Sequence, residues 1–535
     1  MKTMINSIIL ASCLALPLAS CSDSDVAPEQ KDWSTTTYFY SADAAMQDTY
    51  YKPTVGYVGD PMPFFDPVAG DFKVLYLQDF RPNPEGTYHP IWGVSTKDAA
   101  HYTSLGELVS CGTKKSQDAA IGTGSTIYDE ASKLYYTFYT GNKYLPTGDE
   151  SAQAVMVATS PDFKTWTKDR TFLLKGQDFG YDKNDFRDPF VFKGDDGKFH
   201  MLVSTKKSGK GSLAEFVSDD LKNWTDNGVF MTMMWDRFYE CPDLFKMGDY
   251  WYLVYSEIHH AVRRVQYFKG RTLDELKACT ANDVARWPDA HEGFLDSRGL
   301  YAGKTASDGT NRYLWGWCPT RSGKDNTAVG ASPAEPEWAG NLVCYKLIQH
   351  EDGTLTLGQV VAVSEKYNQD VAVEVRESQN MTEADGTYTL AGNTKQPDAY
   401  MLMGRLGNHN KISFTVTTTD KWDKFGISMV RGSDSKKYYT MVVNPENENN
   451  RKVNFEEQGV EGKGFIAGID GYVFARPADN VYNVTIYTDN SICVMYINDV
   501  CSYTNRIYGI QKNCWSINSY NGANVKISNL KISQY

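Results

Sequence analysis

With 535 residues the chain is too long for one ordinary core, so two domains or more are expected. Aromatic residues make up 13% against 22% charged, which suits a β-rich protein. A formal net charge of −12, with no basic run longer than Lys206-Lys207 or Arg263-Arg264, excludes a phosphate-tracking nucleic-acid surface.

The first stretch, MKTMINSIILASCLALPLASCSDSD, joins a lysine, an apolar run too short for a flanked membrane span, and small residues, which is the pattern of a secretory signal. Its Leu18-Ala19-Ser20-Cys21 is similar to a bacterial lipobox, which implies cleavage before Cys21 and lipidation of that cysteine. The SDSD that follows resembles the export tag of surface lipoproteins. Residues 1–21 are thus expected to be signal and anchor and 22–45 a linker, with the outer membrane as destination and the cell surface beyond it.

From residue 46 short runs rich in Tyr, Phe, Val and Trp alternate with Gly, Asp and Asn turns: FKVLYLQDF, LYYTFYTGN, FHMLVST, YWYLVYSE and RYLWGWCP. These are expected strands, TLDELKACT is the clearest helix, and the fold class is all-β. Three segments share a strand ending in Ser or Thr, a turn with Asp98, Asp162 or Asp220, and an aromatic at Tyr102, Trp166 or Trp224. Such recurrence points to a β-propeller, whose central funnel collects one strand end per blade. Near residue 365 the repeats stop, and runs such as KISFTVTTT, KFGISMVRG and NVTIYTDNSICVMYIND read as a C-terminal β-sandwich over 366–535.

Cys13 and Cys21 belong to the signal, and the other eight cysteines show no CxxC or zinc spacing. Neither a disulfide framework nor a metal is expected. Cys493 and Cys501 flank a predicted hairpin, where buried thiols are the commoner outcome than a bridge. KKSGKGS, residues 206–212, lacks the first glycine of a phosphate loop and reads as a hairpin turn. Trp315, Trp317 and Trp338 fit either core or a sugar platform.

Three segments place an acid beside proline and aromatics: YVGDPMPFF with Asp60, DFRDPFVF with Asp188 and YECPDLF with Glu240. Proline removes an N–H and fixes the chain as it enters the strand, so each carboxylate can be held at the funnel. Glycosidic chemistry uses such convergence, a retaining mechanism requiring a nucleophile and an acid roughly 5 Å apart. Tyr239, Cys241 and Pro242 around Glu240 are expected to lower its local dielectric and favour the protonated form an acid must have.

Asp60-Pro61, Arg187-Asp188-Pro189 and Glu240-Cys241-Pro242-Asp243 resemble, in order and spacing, the three hallmark motifs of glycoside hydrolase family 32, the β-fructosidases. Gln78 with RPNP, Trp92 in HPIWGVSTKD, Thr123 in GTGST, and SRGLYAGKT with NRYLWGWCPT extend the likeness over about residues 50–365. The resemblance implies a five-bladed propeller over 46–365, cleavage of β-fructofuranosidic bonds in fructans or fructo-oligosaccharides by a retaining mechanism, and no cofactor. It implies Asp60 as nucleophile, Glu240 as acid/base, Asp188 as transition-state stabiliser, and Gln78, Trp92, Thr123 and Arg187 as substrate-binding residues. A carbohydrate is then the partner, with the membrane met only through the lipid anchor. The family places Asn before the nucleophile and after the proline, where this chain has Gly59 and Met62, so two sugar-facing amides are missing. Pentoside cleavage in the manner of family 43, and glycan binding without turnover, stand as alternatives.

Overall fold

The computed structural model describes residues 49–80, 88–233, 238–257, 264–279, 293–321, 336–431, 438–446, 453–458, 474 and 476–535. The signal, Cys21, the expected linker and the RPNP segment lie outside the described residues.

The first blade is β1 (Tyr57–Asp66), β2 (Asp71–Asp79), β3 (Ile91–Thr96) and β4 (Thr103–Val109). The second is β5 (Ala120–Asp129), β6 (Leu134–Asn142), β7 (Gln153–Ser160) and β8 (Thr167–Lys168). The third is β9 (Phe186–Lys193), β10 (Phe199–Lys207), β11 (Lys210–Ser218) and β12 (Thr225–Thr232). In the fourth, β13 (Glu240–Met247), β14 (Tyr250–Glu257) and β15 (Arg264–Gly270) are extended by a bridge from Gln266 to Phe294. The fifth is β16 (Tyr301–Ser307), β17 (Arg312–Arg321), β18 (Pro336–Gln349) and β19 (Leu355–Gly358). Val58 pairs with Gly340, which joins the first and last blades into one sheet and closes the ring. The first strand of each blade lies against that of the next, so these five strands line the axis.

Apolar side chains from facing blades fill the wedges between them. Phe138, Val155 and Val157 meet Phe186, Met201 and Phe216 between blades two and three, and Leu202 and Leu213 meet Leu244 and Leu253 between three and four. Each such side chain stabilises by about 1.5–3 kcal/mol on burial, which is why the blades cohere without a covalent clasp.

The repeated Asp turn joins the third and fourth strands of the first three blades. In blades two and three Ser160 and Ser218 hydroxyls bond Asp162 and Asp220, whose carboxylates accept the backbone N–H of Thr165 and Asn223. The next residue, Phe163 or Leu221, turns left-handed and receives the indole N–H of Trp166 or Trp224 on its carbonyl. KKSGKGS forms the β10–β11 hairpin, turning at Ser208-Gly209 with positive φ at both. The helix α1 (Leu273–Ala278) starts at Thr272, whose hydroxyl accepts the N–H of Glu275.

After helix α2 (Val361–Lys366), two antiparallel sheets face one another. One has the order Met381–Ala384, Thr387–Ala391, Asn524–Gln534, His409–Thr418, Val481–Asp489, Ile492–Ile497, Cys501–Arg506; the other is Val375–Gln379, Ala399–Arg405, Cys514–Ser519, Phe425–Arg431, Tyr438–Val443, Val453–Gln458. Alternate residues such as Ile412, Phe414 and Val416 point into the shared core. Cys493 and Cys501 are buried there and unbridged.

The sandwich docks on the fifth blade. Buried Arg506 donates to the carbonyls of Pro319 and Cys318, to Asn341 and to Ser491. Buried Asp296 accepts from Ser502 and twice from Thr504. Tyr345 of the propeller packs against Tyr496 of the sandwich in one continuous core.

Candidate active site

Every axial strand carries a register shift at the same height: Gly59/Met62 in β1, Gly122/Gly124 in β5, Arg187/Phe190 in β9, Glu240/Asp243 in β13 and Tyr301/Lys304 in β16. These are β-bulges, which bend a strand and re-aim its side chains. In four of them one residue is left-handed: Asp60 (φ 28°), Asp188 (57°), Cys241 (51°) and Ala302 (52°). For a non-glycine residue that costs about 1–2 kcal/mol, held in place by the surrounding blades. Three of the four are followed by Pro61, Pro189 and Pro242, so the irregular position has no N–H to leave unpaired. The prolines therefore sit inside the bulges rather than at the strand starts.

This alignment shows that Glu240 is not the counterpart of the two aspartates. Cys241 is; Glu240 precedes it, at the level of Arg187 in β9 and Tyr301 in β16. Those three residues from adjacent blades bond in a row. Arg187 Nη2 donates to Glu240 Oε1 at 2.9 Å, and the Tyr301 hydroxyl donates to Glu240 Oε2 at 2.5 Å. Arg187 is itself fixed by Asp185 at 2.7 Å and lies 3.9 Å over the Phe238 ring. Burial works against the Arg187 charge, but Glu240, Asp188 and Asp185 outweigh it and raise its pKa.

One level deeper, Asp60 accepts the Thr123 hydroxyl at 2.7 Å and the Trp317 indole N–H at 3.0 Å. Asp188 accepts the Cys241 backbone N–H at 2.9 Å and donates its own N–H to Thr140 Oγ1 at 2.8 Å. Burial, opposed by Arg187 and reinforced by Glu240, pushes Asp188 up to about 7. Burial also raises Asp60, against the pull of its two hydrogen bonds.

The expectation that aromatics and proline would strip water from Glu240 is corrected. Tyr239 packs away into the wedge between blades three and four, and the Glu240 carboxylate meets a guanidinium and a phenol instead. Asp188 is the carboxyl that burial drives towards neutrality.

The structure thus brings together Asp60, Thr123, Arg187, Asp188 and Glu240. It does not bring Gln78 or Trp92 into this network. Fully buried Gln78 turns its amide N–H to the Val55 carbonyl, its Oε1 having no partner among the described residues. Trp92 lies on the third strand of its blade, packed on Phe80 at 5.9 Å. Tyr301 and Lys304 were missed as individuals, although SRGLYAGKT contains them, and Trp317, read as core or sugar platform, instead donates to Asp60.

The two departures from the family pattern have distinct physical grounds. A Cβ on Gly59 would sit 2.2 Å from the Trp338 ring, so that indole occupies the space a side chain at 59 would take. His89 stacks on Trp338 at 4.1 Å. Met62 is buried among Leu75, Leu77 and Ile91, and its sulfur accepts the Gly124 N–H, so it faces the core and not the funnel. Of the three tryptophans, Trp315 is core and Trp317 donates to Asp60, while Trp338 is half-buried beside β1, the strand of Asp60.

Residues 50–360 match the family model "Glycosyl hydrolases family 32 N-terminal domain", and 353–532 match "GH32, BT1760-like, C-terminal domain". A beta-fructofuranosidase, insoluble isoenzyme CWINV2, of Arabidopsis thaliana is 27% identical over 320 residues, 54% of this chain and 51% of the relative. A sucrose-6-phosphate hydrolase of Vibrio alginolyticus is 26% identical over 240 residues, 42% of this chain and 45% of the relative. The chain spans about half the length of the curated relatives it matches. Among solved structures, an exo-inulinase from Aspergillus awamori superposes with a TM-score of 0.66 at 16% identity, covering 91% of this chain and 98% of that one. A sucrose-6-phosphate hydrolase from Lactobacillus gasseri gives 0.65 at 18%, covering 92% and 94%. Both share the fold.

Proposed function

The chain belongs to glycoside hydrolase family 32, and from that premise we propose that it hydrolyses β-fructofuranosidic bonds of fructans or fructo-oligosaccharides with retention. The observation that carries the reading is the pair of differently held carboxylates: Asp60 between two neutral donors, and Glu240 between Arg187 and Tyr301. Asp60 attacks the anomeric carbon as Glu240 protonates the departing glycosidic oxygen, breaking the C–O bond and forming a fructosyl ester on Asp60. Glu240, now ionised, takes a proton from water, whose oxygen attacks the same carbon and frees Asp60. Asp188, beside Arg187, hydrogen-bonds sugar hydroxyls as positive charge develops on the ring.

The test incubates the protein without its first 21 residues with sucrose, inulin, levan, arabinan and xylan, alongside Glu240→Gln. Fructose released by wild type and not by the variant supports the proposal, and the polymer consumed gives the linkage. Pentose release, or glycan binding with no turnover by wild type, overturns it. We also propose that Cys21 carries a lipid that holds the enzyme at the outer membrane, the lipobox-like sequence being the support. Cys21→Ser should then abolish palmitate labelling of the full chain and release it from the membrane fraction; labelling that persists refutes the anchor.

A further inference from the structure

Two residues beyond the left-handed Ala302 of β16, Lys304 is 2% exposed. Its side chain leaves blade five and crosses the axis. The ammonium donates to the Gly124 carbonyl of blade two at 2.7 Å and lies 5.6 Å from the Phe190 ring centroid of blade three. Among the described residues that is the ammonium's one hydrogen bond, although it carries three donors. Nor does any described carboxylate approach within ion-pair distance, so the side chain is not half of a simple buried salt bridge.

Its surroundings are nevertheless acidic on several sides. Asp243 of blade four, buried and accepting the Thr305 N–H at 2.6 Å, follows the Cys241 bulge by two residues as Lys304 follows that of Ala302. Asp60 and Asp188 stand one level above, and Gly124 adjoins Thr123, the hydroxyl that holds Asp60. Other charges that bear on this space are His89, which favours the ionised form of Asp60, Arg312 near Asp243, and Arg187 and Glu240 one level higher still, where Glu240 favours the neutral form of Asp60. A cation with few hydrogen bonds in a dry place acts over distance, because there is no water to screen it.

We infer that Lys304 is a positioning residue of the catalytic site: it pins the β5 bulge so that Thr123 stays on Asp60, and it adds a fixed positive charge beneath the funnel that helps Thr123, Trp317 and His89 keep Asp60 ionised next to Glu240 and Asp188. Burial is the largest influence and leaves the pKa of Lys304 lowered, while Cys241, Asp243, Asp188 and Asp60 oppose it and favour the cation. The inference rests on Asp60 being the nucleophile of the proposed function, not on which sugar is cleaved.

The experiment measures kcat and KM from pH 4 to pH 9 for wild type, Lys304→Met and Lys304→Gln, on whichever glycoside wild type cleaves. Methionine keeps the volume and loses the charge, whereas glutamine retains a donor for the Gly124 carbonyl and serves if the methionine variant folds poorly. With the cation gone Asp60 gains its proton at higher pH, so the acid limb of kcat/KM should move up by about one pH unit. At pH 5 kcat should fall about tenfold or more and at pH 8 by less, with KM held within about threefold. A uniform loss at every pH, or a lower Tm with an unchanged profile, would make Lys304 a structural strut and overturn the inference. If wild type cleaves only pentosides, the proposed substrate fails while this comparison is still read on that substrate.

Discussion

Asp188 is held at the site against its own stability. Its folded pKa of about 7 stands above the ordinary 3.8, so the stability linked to it is complete below pH 4 and is lost as pH rises through 7. The loss amounts to a few kcal/mol, on the order of 1.4 per pH unit of displacement. Asp188→Asn keeps an acceptor for the Cys241 N–H and removes the charge. It should raise Tm at pH 8 with little gain at pH 4, and abolish turnover; equal effects at both pH values in thermal melts would contradict this. Arg187 makes a second residue-scale test. Its fork spans Asp185 and Glu240 together, which a lysine ammonium cannot imitate in that geometry. Arg187→Lys should cut kcat/KM by about 10²-fold, the usual cost of misplacing a catalytic group, with Tm nearly unchanged.

At the scale of elements, the bulge is the unit that builds the site, and substitutions should be judged by their place within it. Ala302 is fully buried with φ 52°, a conformation hostile to branched side chains. Ala302→Val should destabilise by about 2–3 kcal/mol, and because Tyr301 precedes it, activity measured below Tm should fall too. Gly59→Ala would drive a methyl into Trp338; the expected result is a large fall in activity, partly restored when Trp338→Ala is added. The acids and prolines were legible in the sequence because a bulge is local, and each motif contains its own strained residue and proline. The Asp turns were legible for the same reason, since within seven residues Ser160 bonds Asp162 and Trp166 bonds the Phe163 carbonyl. What sequence could not give was the neighbour across blades. Glu240 and Tyr301 are 61 residues apart, Gly124 and Lys304 180, and only ring closure decides that they meet. The environment of Glu240 was misjudged on that account: its sequence neighbours are apolar, and its spatial neighbours are not.

On the scale of the whole molecule, propeller and sandwich share one buried network. Arg506 reaches from the sandwich to the carbonyl of Cys318, next to the Trp317 that holds Asp60. Arg506→Met would take the guanidinium from four buried acceptors, and should destabilise by about 3 kcal/mol or more. Calorimetry should show both units melting in one transition, earlier than in wild type; two separate transitions would mean the docking is weaker than these bonds indicate. The sandwich was legible as alternating strands, but Arg506 and Asp296 gave no local sign that they face each other's domain.

The strand Asn524–Gln534 lies in the interior of its sheet, between Thr387–Ala391 and His409–Thr418, and the Tyr535 hydroxyl bonds Thr49 at 2.8 Å. Synthesis order therefore matters. Until residues 524–534 leave the ribosome, the sheet has a gap between strands made more than a hundred residues earlier. A nascent chain must wait with those two edges unpaired until residues 524–534 arrive, so a chain interrupted before them is expected to meet proteases with its sheet open and not to work as a slower enzyme.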